Sequence, residues 1–260
     1  MKAAILGATG YTGMILLRIL SDHPEVESII PVSSSRAGAE LKDIDPGVYT
    51  AAEAKMSGSG GKLLTIDEAE ALKPDVVFAA LPHLESAKIC APFFGKSVVI
   101  DLSADFRIKD HKVFEKAYGQ KPERPDLLQK AVYGLCEIYR DAVRTADLIS
   151  NPGCYPTASL LPLIPIVREF GFEGKIVINA LSGVSGAGKK AAFNNLFVER
   201  TENCGAYAPA KSHRHQPEIK TELDAAAGAD ADLFFPPQRV PLKRGMEVTA
   251  ILDLPSPKND

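Results

Sequence analysis

The chain has 260 residues, 45% of them hydrophobic, enough to bury a substantial core and to build two domains of ordinary size. Thirty basic side chains stand against 33 acidic ones with no long block of either sign, so the net charge of −3 excludes the footprint of a nucleic-acid or anionic-membrane binder and points to a small-molecule partner. No apolar run reaches the roughly 18 residues of a membrane span and no signal peptide precedes the first apolar stretch, so a cytoplasmic protein is expected.

Residues 3–6 read as a short buried strand, followed by Gly7-Ala8-Thr9-Gly10-Tyr11-Thr12-Gly13 and an amphipathic helix over 14–20. In a strand–loop–helix unit this glycine spacing allows a tight turn at Gly7, close approach of a pyrophosphate at Gly10 and helix packing at Gly13. The phosphate charge would sit at the helix N-terminus. Gly7, Thr9, Gly10, Tyr11, Thr12 and Gly13 are therefore candidate dinucleotide contacts, against the plainer alternative of an α/β turn without a ligand. A second strand at 28–32 ends in Ser33-Ser34-Ser35-Arg36, where an NAD reader would usually present an acid to the ribose. Ser33, Ser35 and Arg36 suit the 2′-phosphate of NADP instead, unless Arg36 is only a solvated loop cation.

Residues 57–61 (Ser-Gly-Ser-Gly-Gly) read as a flexible loop. Further strands are expected at 75–80, 97–102 and 147–150, separated by helices at 67–72 and 84–93. This alternation predicts a doubly wound parallel sheet in residues 1–150, with ligands at the carboxyl ends of its strands, where Leu81, Pro82, His83 and Ser103 fall.

The segment 150–158, Ser-Asn-Pro-Gly-Cys-Tyr-Pro-Thr-Ala, places Cys154 after a turn signal and at the head of an apolar helix running to 170, with a kink expected at Pro162 and Pro165. A thiol there faces unpaired backbone N–H groups and the positive end of the helix dipole, which favours the thiolate. Cys154 reads as a nucleophile or as a buried structural cysteine, the commoner fate of a free thiol. Its position at the end of the last strand of the first domain predicts that nucleophile and nicotinamide can meet. Cys90, Cys136 and Cys204 form no Cys-x-x-Cys pair, so neither a zinc cage nor a disulfide framework is expected.

From residue 175 the strands are no longer interleaved with regular helices, and 247–254 reads as another strand, so residues 151–260 are expected to form an α+β substrate domain. Ser182-Gly183-Val184-Ser185-Gly186-Ala187-Gly188 with Lys189 and Lys190 is a second glycine-rich loop, able to hold a phosphate or the nicotinamide end of a cofactor, or simply a flexible connection. Lys211 to Ile219 (KSHRHQPEI) opens a helix with Pro217 in its first turn. The two histidines have no nearby cysteine or carboxylate at ligand spacing, so no metal is expected.

These segments together resemble the N-acetyl-gamma-glutamyl-phosphate reductase family, the arginine-pathway relative of aspartate-semialdehyde dehydrogenase. The motifs are GATGYTG at 7–13, ALPH at 80–83, DLSADFR at 101–107, YGLCE at 133–137, SNPGCYPTA at 150–158, SGVSGAGK at 182–189 and HRHQPEI at 213–219. The resemblance implies a Rossmann-like NADP-binding domain and a catalytic, dimerising α+β domain in a homo-oligomer, dimer or tetramer. It also implies NADPH-dependent reduction of an acyl phosphate to a semialdehyde with release of phosphate, through a thioester on Cys154. The acid/base would come from His213 or His215, with His213 preferred; spacing does not separate them. Asn151 and the backbone N–H of Cys154 would be oxyanion donors and Glu218 would orient a histidine. Ser103, Arg107, Arg214 and Glu137 would contact substrate or phosphate, and Ser182, Gly183, Ser185, Gly186 and Gly188 would join Leu81 and Pro82 at the cofactor.

The chain departs from the family in two places. Position 136 is Cys where the family has Pro, and the chain stops at Asp260, where family members continue for several dozen residues and return a segment to the cofactor domain. Loss of that segment is expected to expose a sheet edge and apolar surface and to favour association. Two other readings stay open: a lysine-pathway enzyme acting on a carrier-bound aminoadipyl phosphate, and a catalytically silent NADP-binding homologue.

Overall fold

The computed structural model describes residues 1–208 and 213–255, so Lys211 and Ser212 of the expected helix opening lie outside the described residues. The chain divides into two compact units, Met1–Lys109 with Pro122–Asn151 and Asp110–Lys121 with Pro152–Asp260. A single cut after residue 150 does not anticipate that 110–121 is grouped with the second unit.

In chain order the first unit contains β1 (Lys2–Leu6), α1 (Tyr11–Asp22), β2 (Ser28–Val32), α2 (Leu41–Ile44), α3 (Pro46–Ala52) and α4 (Ile66–Ala71). Next come β3 (Val76–Ala79), α5 (Ser86–Ile89) and β4 (Val98–Asp101). The helix α6 (His111–Tyr118) belongs to the second unit, and α7 (Pro125–Lys130), β5 (Val132–Tyr133), α8 (Cys136–Val143) and β6 (Leu148–Ser150) complete the first. The strands form one parallel sheet in the order β2-β1-β3-β4-β6-β5. Strand order reverses between β1 and β3, which opens a crevice beyond their carboxyl ends. Ile5, Leu17, Leu20, Ile29, Leu41 and Val48 pack one side of the core.

Two helices differ from expectation. The first starts at Tyr11 rather than 14, because Gly10 already serves as its N-cap in an extended conformation. The one expected over 84–93 shrinks to α5: Leu84 adopts a left-handed φ of +67°, and the chain turns away at Cys90, whose N–H bonds back to Ser86. Pro92 lies within the expected span and cannot continue a helix, so the segment stops short of 93.

The second unit continues with α9 (Cys154–Phe170), β7 (Glu173–Ser182), α10 (Phe197–Arg200), β8 (Gly205–Ala206), α11 (His215–Ala227), β9 (Asp232–Phe234), β10 (Pro237–Arg239) and β11 (Met246–Asp253). Its sheet is built on β7. The antiparallel β11 lies along one edge of β7, and on the other edge β9 pairs with its start and β10 with its end, both parallel. Leu160, Leu163, Ile164 and Val167 of α9 and Ile219 and Leu223 of α11 are buried, and these two helices pack on each other. Gly171 ends α9 at φ +70°. At Pro162 and Pro165, the positions of the expected kink, α9 stays one continuous helix. Both prolines lie on its exposed side, where carbonyls that lose an intrahelical donor can meet water.

Candidate active site

In the first unit, Gly7 turns the chain at φ +80° directly after β1, and its neighbours are tied to β2 by bonds from the N–H groups of Gly7 and Ala8 to the carbonyl of Val32 (3.1 and 3.0 Å). A Cβ on Gly7 would stand 2.3 Å from the Ala80 carbonyl oxygen, and one on Gly13 would stand 2.3 Å from the Gly7 carbonyl oxygen. Both sites accept only glycine. Gly10 is different: an added Cβ would meet only the Gly7 carbonyl, at 3.4 Å. Its lack of a side chain therefore leaves space in front of the backbone rather than relieving a clash. No side chain caps α1, so its first-turn N–H groups face that space. Bare backbone donors at a helix N-terminus, beside the sheet's switch point, fit a dinucleotide pyrophosphate. Tyr11 and Thr12 are exposed at the mouth, Thr9 and Leu81 are half-buried, and Pro82 is exposed. At the end of β2, Ser33 is buried with its N–H on Leu64, while Ser35 and Arg36 stand in an exposed turn.

The carboxyl end of β4 holds a different arrangement from the one the motif suggests. Ser103 is fully buried, its hydroxyl bonded to Asp105 and to Ser86. Arg107 is 4% exposed and donates from Nε to the Asn151 carbonyl and from Nη2 to the Leu102 carbonyl, both at 2.9 Å. These two candidates serve the scaffold: they hold the loop after β4 and the chain leaving β6, where the Asn151 N–H also bonds to the Asp101 carbonyl (2.7 Å). Glu137 and Cys136 lie exposed in the first turn of α8.

In the second unit, Cys154 is the first residue of α9 and its side chain is exposed. Gly153 caps the helix without a side-chain acceptor, and its carbonyl receives both the N–H and the hydroxyl of Thr157, each at 2.9 Å. On its other side, the Gly153 N–H donates to Oε1 of Glu218 at 2.9 Å. Glu218 is fully buried on α11, so a carboxyl oxygen from one helix fixes the turn that presents the thiol of the other.

His213 is buried, and its two ring nitrogens have assigned roles. The backbone N–H of His215 points at Nδ1 (3.1 Å), so Nδ1 accepts. In the neutral ring the proton then sits on Nε2, which faces the Tyr207 hydroxyl at 2.9 Å. Burial, with the nearby Arg214 charge, pushes its pKa down to about 4, so the ring stays neutral at physiological pH. Tyr207, Tyr155 and Phe235 surround it, with ring centroids 5.2, 5.4 and 5.3 Å from that of His213, and His215 lies at 4.9 Å. The Arg239 guanidinium stacks 4.8 Å over the Tyr207 ring. Burial holds both phenols in their protonated form, and the neighbouring Cys154 charge acts on both in the same direction. Tyr155, Tyr207 and Phe235 were not singled out from the sequence; only the Tyr after Cys154 belonged to a motif, and the other two lie in segments without a recognisable pattern. Beside this group, a cavity of about 420 Å³ is lined by His213, Arg214, Gln216 and Lys220 of the α11 segment, Lys116 of α6 and Asp232 of β9.

The second glycine loop is tied to the segment between β10 and β11. The N–H groups of Gly183, Val184 and Ser185 donate to the carbonyls of Gly245, Leu242 and Lys243, and those of Gly186 and Gly188 to Gly183 and Ser185. These five N–H groups are therefore spent within the protein. Gly183 is glycine because a Cβ would sit 2.9 Å from the backbone of Arg244 and Leu242. Ser182 is buried with its hydroxyl on the Gly183 carbonyl, Ser185 is half-buried, and residues 186–190 are exposed. Among the described residues no group of three His, Cys, Asp or Glu side chains is gathered for a metal, and no helix is long and apolar enough to cross a membrane.

Comparison with known proteins places both units. Residues 2–146 match the semialdehyde dehydrogenase NAD binding domain and residues 154–260 the semialdehyde dehydrogenase dimerisation domain. A nicotinamide dinucleotide is thus the cofactor class. An N-acetyl-gamma-glutamyl-phosphate reductase from Campylobacter jejuni subsp. jejuni serotype O:6 is 43% identical over 257 residues, 97% of this chain and 71% of its own length. One from Moorella thermoacetica is 41% identical over 98% of this chain and 72% of its own. Among solved structures, aspartate semialdehyde dehydrogenase II from Vibrio cholerae, complexed with ASA, shares the fold at a TM-score of 0.71 and 19% identity, over 98% of this chain and 75% of that one. The enzyme from Candida albicans with NADP matches at a TM-score of 0.66 and 17% identity, over 100% and 73%. Both units therefore belong to one lineage, and the chain is a member of the N-acetyl-gamma-glutamyl-phosphate reductase family of semialdehyde dehydrogenases.

Proposed function

We propose that the chain reduces N-acetyl-gamma-glutamyl phosphate to N-acetylglutamate semialdehyde with release of phosphate, using NADPH, as a homo-oligomer in arginine biosynthesis. The relatives' names supply the substrate. The observation that carries the chemistry is the exposed Cys154 thiol at an uncapped helix N-terminus, electrostatically coupled to a phenol that is bonded to a neutral imidazole.

Cys154 attacks the acyl carbon, the acyl–oxygen bond to phosphate breaks, and a thioester forms. The α9 N-terminus and the backbone N–H of Cys154, with the Asn151 side chain as a further donor, stabilise the negative charge that collects on the carbonyl oxygen. His213 and Tyr207 act as the acid/base unit: the Tyr207 hydroxyl donates its proton to the oxygen formed on hydride addition, the His213 Nε2–H steadies the phenolate left behind, and solvent restores the phenol. His215 and Glu218 position this unit and the cysteine turn. Arg214 and Lys116, which line the cavity beside His213, take the substrate carboxylate, with Glu137 left as an outer contact. The dinucleotide, held at Gly7, Gly10 and Gly13, supplies the hydride when bound. Ser35 and Arg36 select its 2′-phosphate.

Incubating the chain with N-acetylglutamate semialdehyde, phosphate and NADP should produce reduced cofactor, with none from Cys154→Ser. Silence of the unmutated protein despite measurable NADPH binding would overturn this reading in favour of a silent homologue. Arg36→Ala should weaken NADPH more than NADH, and equal loss for both would remove the argument for the 2′-phosphate. Self-association through the dimerisation domain and a cytoplasmic location, where four free cysteines persist, complete the proposal.

A further inference from the structure

Four buried side chains at the carboxyl edge of the first unit's sheet form a row of oxygens: Asp101, Ser86, Ser103 and Asp105. Ser86 Oγ lies 2.6 Å from Asp101 Oδ1 and 2.6 Å from Ser103 Oγ, and Ser103 Oγ is in short contact with Asp105 Oδ2. Each of these three contacts needs a proton between its oxygens, since two lone pairs at that distance repel. The two hydroxyls bring only one proton each. If both carboxyls were ionised, one of the three contacts would hold no proton at all.

We propose that this row carries one further proton, held on Asp101, so that Asp101 is a neutral acid that donates to Ser86, Ser86 to Ser103, and Ser103 to the carboxylate of Asp105. The site of the proton follows from the donors each carboxyl meets. Asp105 accepts from the backbone N–H groups of Leu84 and Ala87, both at 2.9 Å, as well as from Ser103. Asp101 accepts one backbone N–H, that of Ser103 at 2.9 Å, and its Oδ2 is buried with no hydrogen-bond partner. The negative charge settles on the carboxyl with more donors, and the proton goes to the one with fewer. The direction of the Asp101 pKa agrees: burial first, and the Asp105 charge after it, raise it to about 6.

This proton is a latch. The row joins the segment 84–87, which follows the strand end where Leu81 and Pro82 lie, to the loop 101–105, and so ties together the ends of β3 and β4. Its Asp105 end also holds Leu84 in a left-handed φ of +67°, through the bond from the Leu84 N–H. The titratable neighbours facing Asp101 are Asp105 and Cys90, and burial together with the two aspartates keeps that thiol protonated. Asp101 is thus a positioning residue for the ligand edge of the sheet.

Carbon-13 NMR of aspartate-labelled protein, with the Asp101 carboxyl assigned through its own backbone, reads the proton directly. The Asp101 carbon should titrate near 6 rather than near 3.8. Asp105→Asn should move it toward the ordinary range. Thermal unfolding followed over pH supplies a second readout: Asp101→Asn, whose amide donates as the neutral acid does, should fold and lose the wild-type decline in Tm between about pH 4 and 6. An Asp101 carbon that titrates in the ordinary aspartate range, or an Asp101→Asn profile that keeps the wild-type slope, overturns the proposal. The wild-type titration decides alone if the variants do not fold.

Discussion

The carboxylate of Glu218 accepts the N–H of Gly153 at 2.9 Å, so a fully buried acid on one helix grips the residue directly before the exposed Cys154 on another. Glu218→Ala leaves that N–H buried without an acceptor, at a cost of about 1 to 3 kcal/mol, and frees the cysteine turn. Glu218→Gln keeps an acceptor oxygen. Activity should fall in kcat more than in KM for the alanine variant and recover partly with glutamine. Steady-state kinetics beside urea unfolding separates the two effects, and identical losses for both variants would argue against a positioning role.

The three glycines of the first loop should respond differently to a single methyl group. Gly7→Ala and Gly13→Ala drive Cβ to 2.3 Å from backbone oxygen, and each should destabilise by about 1 to 3 kcal/mol or more. Gly10→Ala meets its nearest neighbour at 3.4 Å and should fold with near-normal Tm. Its Cβ instead occupies the pyrophosphate approach, so NADPH affinity should drop about tenfold or more. Calorimetric titration with NADPH tests this; normal affinity in Gly10→Ala would move the cofactor elsewhere.

His213 sets a sign for stability against pH. Its folded value of about 4 lies below the ordinary 6.5, so the unfolded chain takes up a proton first as pH falls. The stabilisation is complete above 6.5 and is lost as pH drops toward 4, by at most about 3 kcal/mol. Replacing His213 with Gln should flatten the urea-unfolding profile across that window. The same burial means that activity should not show a protonation step of His213 near pH 6.5.

Tyr207→Phe keeps the ring beneath Arg239 but removes the oxygen that faces His213 Nε2. The stranded ring N–H costs about 1 to 3 kcal/mol, and kcat should fall at least tenfold with KM little changed. Full activity in this variant would remove the phenol from the acid/base unit and leave His213 or His215 to act directly.

Gly183→Ala should act on stability alone, since its Cβ would enter the backbone of Arg244 and Leu242 at 2.9 Å. A lowered Tm with unchanged NADPH affinity is expected. Weaker NADPH binding at an unchanged Tm would restore this loop to the cofactor.

Local chemistry determined a good part of this protein. Apolar runs with short periods marked the parallel strands, the glycine spacing at 7–13 marked a turn whose close contacts admit no Cβ, and Asn-Pro-Gly before an apolar run put Cys154 at a helix start, because helix starts, turns and strand burial are written in neighbouring residues. Tertiary structure alone decided what those residues touch. Ser103 and Arg107 carry the polar chemistry of substrate contacts, yet folding buries them against Asp105 and backbone carbonyls. The 182–188 loop looks like a phosphate cradle, yet residues 242–245 take the N–H groups of Gly183, Val184 and Ser185 from some 60 positions away. Tyr207 and Phe235 come to His213 from separate strands and loops, and Glu218 finds Gly153 across two packed helices. Hydrogen-bond donors and acceptors carry no label for their distant partners, so the sequence shows which groups exist, and only packing shows which of them remain available for chemistry.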